Sequence, residues 1–204
     1  MIDVMSVAWL KKLKNSFPWM WNAVEWCNGI LISLFFGGKI RKSADAASDV
    51  EGICRYRRLD VQDAGLLVSL IKRQPDGFDR YFKPHPFDID TFRRILGNST
   101  YLLMGAFDGE ELVGYCFMRF FINKSAFRGK IVDKEYQGRG IAKQMGVMMT
   151  KIASDAGFKV YATISRENVA SLQSARHGSQ IKVMEELPDD YLYVQILPDD
   201  RYVS

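Results

Sequence analysis

Residues 131–148 read IVDKEYQGRGIAKQMGVM, and no other stretch narrows the fold as much. The apolar pair Ile131-Val132 runs into a short charged turn. Gln137-Gly138-Arg139-Gly140 then opens a segment whose apolar residues, Ile141, Met145, Met148 and Met149, recur at helical spacing. Gly138 and Gly140 remove side chains where a ligand must approach the backbone. The first N–H groups of the helix and its dipole favour an anion there, and Arg139 adds a formal charge. The stretch reads as a phosphate loop, with a glycine-rich turn before an ordinary amphipathic helix as the plainer alternative. A Walker loop would end in Gly-Lys-Ser/Thr, which is absent, and a dinucleotide fingerprint would need glycine where Lys143 stands.

Gln137-x-x-Gly140-x-Ala142 closely resembles the acetyl-CoA loop of the GNAT acyltransferases, Q/R-x-x-G-x-G/A, and Val132 and Tyr136 match the apolar and aromatic residues that precede it. Farther on, Asn168-Val169-Ala170-Ser171 follows the β-prone run KVYATIS and resembles the family's Asn-x-x-Ser, which opens a helix after the fifth strand. The resemblance covers about residues 52–197. It implies an α/β (α+β) fold: a central mixed, mostly antiparallel sheet of about seven strands flanked by helices, with an extra N-terminal helical segment. It also implies an acetyl-CoA-dependent N-acetyltransferase that moves an acetyl group to a primary amine by direct attack on the thioester. The residues it assigns to CoA are Ile131, Val132 and Asp133 (strand amides for pantetheine and thioester), Gln137, Gly138, Arg139, Gly140, Ile141 and Ala142 (the pyrophosphate), and Asn168 and Ser171 (the CoA arm). For Asn168 a plain helix N-cap is the alternative. Many relatives carry a Tyr that protonates the leaving thiolate where this chain has Ala175, so the resemblance supplies no proton donor. Two other readings stay open: a non-catalytic CoA-binding or docking module, and a mononucleotide-binding protein.

The remaining elements follow in chain order. Gly52 to Leu59 alternates as a first strand, and Asp60 is placed to cap a helix through Leu67, Leu70 and Ile71. Asp88 or Asp90 caps a second helix, ended by Gly97-Asn98. Two β-prone runs joined by Asp108-Gly109-Glu110 form a hairpin, Ser125 to Asp133 a fourth strand, and Ile181–Val183 and Tyr191–Leu197 the last two. Between the first two helices, GFDRYFKPHPF is aromatic and proline-rich, hence a loop of fixed shape. By its position in the resembled family it lines the acceptor pocket, which makes Tyr81, Phe82 and Phe87 candidate substrate contacts and His85 the candidate base, since its intrinsic pKa suits proton transfer. Core filling is the alternative for the aromatics. Asp133 and Glu135 read as solvated turn residues, and His177 as a helix C-terminal cap.

A net charge of +4 without a Lys/Arg block suits an anionic small molecule and excludes a nucleic-acid arm. Three scattered cysteines without C-x-x-C, and two histidines, argue against a metal site and for a reducing, cytoplasmic compartment. Residues 1–48 differ from the catalytic domain, residues 49–204: all four tryptophans lie there, with basic residues on both sides of SFPWMWNAVEWCNGILISLFFGG. An interfacial segment touching the inner face of a membrane through residues 1–42, a helix pair packed on the domain or on a second copy of the chain (a homodimer), and a true span are three readings of it. On a helix, Lys11, Asn15, Asn22, Glu25, Gly29 and Ser33 make the polar side, and the remainder a broad apolar face. Ser43 to Val50 is small and polar, and reads as a linker.

Overall fold

The structure, a computed structural model, describes residues 18–48 and 53–198. Trp9, Lys11, Lys12 and Lys14, and the expected boundary at residues 48–49, lie outside or at the edge of these. Two helices come first, α1 (Pro18–Phe35) and α2 (Gly37–Ser48), then β1 (Arg55–Arg58), α3 (Ala64–Lys72) and α4 (Ile89–Leu96). The hairpin β2 (Tyr101–Asp108) and β3 (Glu111–Phe121), β4 (Ser125–Val132), α5 (Ile141–Asp155), β5 (Lys159–Ser165), α6 (Val169–Gly178), β6 (Gln180–Leu187) and β7 (Tyr191–Leu197) complete the chain.

Local chemistry sets most of these limits. Asp60 makes a capping box with Asp63 before α3, the Asp88 carboxylate accepts from the Thr91 amide at the head of α4, and Gly109 turns the hairpin at φ +57°. The seven strands form one sheet in the order β1-β2-β3-β4-β5-β7-β6, with every neighbouring pair antiparallel except β4–β5. One face packs on α3 and α4, where Phe92, Leu67 and Leu70 meet Leu103, Tyr115 and Phe117. The other packs on α1, α2 and α5, where Ile32, Ile40 and Met149 meet Met104, Met118 and Phe120. The mixed, mostly antiparallel sheet with helices on both faces is the expected architecture.

The N-terminal helices depart from the sequence expectation in two ways. Ser43–Ser48 is no linker: it continues α2, and Ala44 and Ala47 are buried in the same core as the sheet. Small residues are needed there to let the helix lie close. Two polar residues of α1 also reach the sheet. Glu25 pairs with Arg119 on β3 (2.8 Å), and Asn28 donates to Phe120 O (3.1 Å) and accepts from Ile122 N (2.9 Å). Ile32 is completely buried, and Phe36 sets its ring edge-on to Phe158 at 5.0 Å. The apolar stripe Trp26, Ile30 and Leu34, with Phe35 beside it, is turned to solvent; Leu34 is 73% exposed. An amphipathic helix on a soluble body ordinarily does the reverse.

Candidate active site

β4 and β5 pair in parallel only at Ser125–Phe127 with Lys159–Tyr161. Beyond that point they splay, and a cleft of about 610 Å³ opens between Arg128–Val132 on one side and Ala162–Ser165 on the other. The glycine loop and the start of α5 close one end. Phe78, Tyr81 and Phe82 wall the opposite side, and α6 contributes Asn168, Ser171, Ser174 and Ala175.

The loop has the geometry its residues require. Gly138 and Gly140 lie at φ +77° and +85°, where L side chains are strained. Gly140 caps α5 with no side-chain acceptor, and the helical ladder begins with Gln144 N to Gly140 O (3.0 Å). The amides of Ile141 and Ala142 therefore have no intrahelical acceptor and open into the cleft, the arrangement that binds phosphate oxygens. Gln137 Nε2 donates to Val132 O (3.3 Å), fixing the loop to the end of β4. Arg139 stays outside the cleft lining, its guanidinium over the Tyr136 ring at 4.6 Å.

The three strand residues separate. The Asp133 amide donates to Val113 O (2.8 Å) in the β3–β4 ladder, so it is not available to a ligand. Alternation along an antiparallel strand then turns the N–H of Val132 toward the splay and that of Ile131 toward β3. The Asp133 carboxylate is not solvated either: it is buried, bonds Arg73 Nε at 2.7 Å and accepts from Glu135 N. Arg73 also donates to Leu112 O, so this ion pair clamps the end of β4 to α3 and β3.

On the acceptor side Tyr81 and Phe82 reach the cleft, whereas His85 and Phe87 do not. Phe87 stacks behind Phe82 (6.2 Å) and faces Phe92 (6.4 Å). The His85 ring lies edge-on to Phe87, Phe92 and Phe117. Its Nδ1 is 2.8 Å from Pro86 O, an atom that only accepts, so Nδ1 carries the proton; Nε2 is buried with no partner among the described residues. Burial lowers the His85 pKa. The residue expected as base is an aromatic packing element, because its surroundings are rings and not substrate space. Asn168 is an N-cap, its Oδ1 accepting from Ser171 N at 3.0 Å, and both residues line the cleft.

Three residues were not singled out from the sequence. Glu167 ties the acceptor loop across the mouth, accepting from Arg80 (2.8 Å) and the Tyr81 hydroxyl (3.0 Å). Arg128, which is buried, and Lys130, which is half-buried, form part of the cleft wall. Arg128 donates to Gly146 O (2.7 Å) and Thr150 Oγ1 (2.6 Å), and burial lowers its pKa to about 10. Lys130 Nζ donates to Ala142 O (2.7 Å) and Ser174 Oγ (2.9 Å); burial, then the Arg128 charge, lowers its pKa to about 7. The signal was available: strand alternation puts both cations on the face of Ala126 and Val132, which is core, and opposite to Phe127 and Ile131.

A sheet that opens between parallel strands above an uncapped, glycine-headed helix, with an aromatic wall opposite, is an acyltransferase architecture built to hold an extended, phosphate-bearing substrate. The family model of the acetyltransferase (GNAT) family matches residues 67–178, more than half of the chain, and the protein belongs to that family. Solved structures agree on the fold. The GNAT domain of PAT from S. lividans is 18% identical at a TM-score of 0.63, over 72% of this chain and 92% of that one. PaiA N-acetyltransferase from Thermoplasma acidophilum, in complex with coenzyme A, is 16% identical at 0.60, over 71% and 98%. RimL, a ribosomal L7/L12 alpha-N-protein acetyltransferase in complex with coenzyme A, is 21% identical at 0.58, over 73% and 94%. The aminoglycoside acetyltransferase AAC(6')-Ib, also with coenzyme A, is 10% identical at 0.57, over 72% and 95%. No curated protein sequence matches the chain.

Proposed function

We propose that the protein transfers the acetyl group of acetyl-CoA to a primary amine by direct attack on the thioester. The observation that carries this reading is the β4–β5 splay ending at the uncapped head of α5. The residues fit the substrate: the amides of Ile141 and Ala142 meet the pyrophosphate, Gly138 and Gly140 leave it room, and the splayed edge of β4 offers the Val132 N–H to pantetheine and the thioester carbonyl. Acetyl-CoA supplies an activated acyl group, and the chain's task is to hold it extended and present its carbonyl to the aromatic side of the cleft.

Among the described residues no carboxylate lines the cleft, so the amine loses its proton to water. Phe78, Tyr81 and Phe82 suit an acceptor with an apolar face. Solved relatives act on a protein N-terminus and on aminoglycosides, and a small or surface-linked amine, amino-sugars included, fits the same wall. The test is calorimetric titration of acetyl-CoA, followed by release of free CoA with a panel of amino-sugars, polyamines and peptides. Binding and turnover with one class are expected. A folded protein that binds no acetyl-CoA, or binds ATP more tightly, removes the reading; binding without transfer to any amine leaves a docking module.

The outward stripe of α1 supports a separable function. Trp26 and Leu34 are exposed, Lys39, Arg41 and Lys42 on α2 are exposed too, and this combination of aromatic and basic residues suits the anionic surface of a membrane. No described helix is long and apolar enough to cross one. Cosedimentation with phosphatidylserine vesicles checks this. The wild type is expected to pellet with anionic vesicles and to stay in solution with neutral ones, and Trp26→Glu with Leu34→Glu is expected to abolish pelleting. If the wild type stays in solution and is a dimer by light scattering that the same double variant makes monomeric, the stripe is a dimer contact.

A further inference from the structure

Lys130 is a cation without a counter-charge, placed where the cleft is narrowest in choice of chemistry. It projects from the splayed half of β4, and two of its three N–H donors are used on neutral atoms, Ala142 O in the first turn of α5 and Ser174 Oγ in α6. It makes no ion pair among the described residues. Its neighbour across the β3–β4 ladder is Cys116, a fully buried thiol that burial pushes up to about 12, so it stays neutral and offers no charge. The charged and titratable groups around it are otherwise Arg128 on the same strand, Lys143 on α5 and His177 on α6. Every one of these is cationic or neutral. A half-buried ammonium, drawn away from water and facing only cations and neutral dipoles, is costly to keep unless a ligand brings negative charge to it.

The reaction creates such a charge on the sulfur of the leaving group. Other titratable groups in the cleft stand at its ends: Tyr81 is held by Glu167 at the mouth, Lys143 lies in the first turn of α5, and His177 is hydrogen-bonded to Gln173 O near the end of α6. Tyr136 stands by the glycine loop, and Arg128 shares the wall of the splay with Lys130, but a guanidinium gives up its proton far less readily than an ammonium; among the described residues Lys130 is the ammonium in that wall, where an extended thioester arm must pass. We infer that Lys130 Nζ is the proton donor to the leaving sulfur, an inference that rests on the acetyl-CoA reading above.

The step balances. The amide N–C bond forms, the acyl C–S bond breaks, and its electron pair stays on sulfur. One proton passes from Lys130 Nζ to that sulfur and gives the free thiol. The proton that the amine loses goes to water, and water later returns one to the neutral Nζ. The transfer runs downhill, since an ammonium of pKa about 7 donates to a thiolate whose conjugate acid lies near 8.5. Lys130 deprotonates as pH rises through about 7, so the donor form prevails below that value and is lost above it.

The test reads bound CoA itself and needs no acceptor. The thiol of CoA bound to the protein is titrated by the ultraviolet absorbance of its thiolate, in the wild type and in Lys130→Met, with affinity measured alongside. At and below neutral pH the wild type is expected to carry several-fold more thiolate than K130M, because the ammonium favours the thiolate beside it, and the two curves are expected to converge at higher pH as the ammonium is lost. Coincident curves with intact binding overturn the inference and leave Lys130 as a brace between α5 and α6. If K130M no longer binds CoA, Lys130→Arg decides. A fixed cation that cannot give up its proton should keep the low thiol pKa while acetyl transfer falls by about a hundredfold. Loss of that low pKa in K130R, or a rate equal to wild type, overturns it. A wild type that binds no CoA fails the acetyl-CoA reading itself, and the inference with it.

Discussion

Gly140→Asp is expected to weaken acetyl-CoA binding at least about a hundredfold while leaving the protein folded. A hundredfold is about 2.7 kcal/mol, which one carboxylate at the head of α5 readily supplies. The dipole and free amides that attract phosphate would be satisfied by the new side chain, and its charge would repel the pyrophosphate. Folding survives for two reasons. Asp is among the few residues that tolerate positive φ, and here φ is +85°. The new Cβ would come within 3.1 Å of Ile53 Cδ1, the far end of an exposed and flexible side chain that can shift. Calorimetry of both proteins, with circular dichroism to verify folding, checks the result. Gly140→Asn separates charge from bulk, and it should retain more affinity than Asp. Equal affinity for wild type and G140D would mean that this loop holds no phosphate.

Removing residues 1–48 is expected to destabilise what remains by about 5 kcal/mol, a third or more of the stability of an ordinary domain. Ile32 and Ile40 are buried, and burying each side chain is worth about 1.5–3 kcal/mol. The deletion also uncovers their partners, the Phe158 ring among them, and leaves Phe120 O and Ile122 N without Asn28. At about 2–4 °C per kcal/mol, the melting temperature should fall by at least about 10 °C, with aggregation from the bared face of the sheet. Leu34→Glu is the contrast: the position is 73% exposed and its change should leave the melting temperature alone. A truncated protein that melts like the full chain would show that α1 and α2 do not stabilise the catalytic part.

Elements with local causes were legible. Asp60 and Asp88 cap the helices that follow them, Gly109 turns the hairpin, and the alternation of residues 101–132 gives three adjacent strands. The glycine loop was legible for the same reason, since positive φ at Gly138 and Gly140 and the start of a helix are written within a dozen residues. The expected linker at Ser43–Val50 misread small residues: composition is the same for a solvated connector and for a helix that must lie close to a sheet, and the burial of Ala44 and Ala47 selects the second.

The roles of charged and aromatic residues in the site were less legible, because partners distant in the chain set them. Asp133 is a clamp because Arg73, sixty residues earlier, meets it, and His85 packs as an aromatic because Phe92 and Phe117 surround it. Lys130 acquires its character from Ala142 and Ser174, and Glu25 and Asn28 of α1 turn to the sheet because Arg119 and the end of β3 offer ion-pair and hydrogen-bond partners there. The sequence by itself determined the order of elements, the family and the place of the glycine loop, since those depend on backbone freedom and periodicity within one segment. Only the tertiary structure decided which ionisable groups face the cleft, because burial and charge belong to the space between segments.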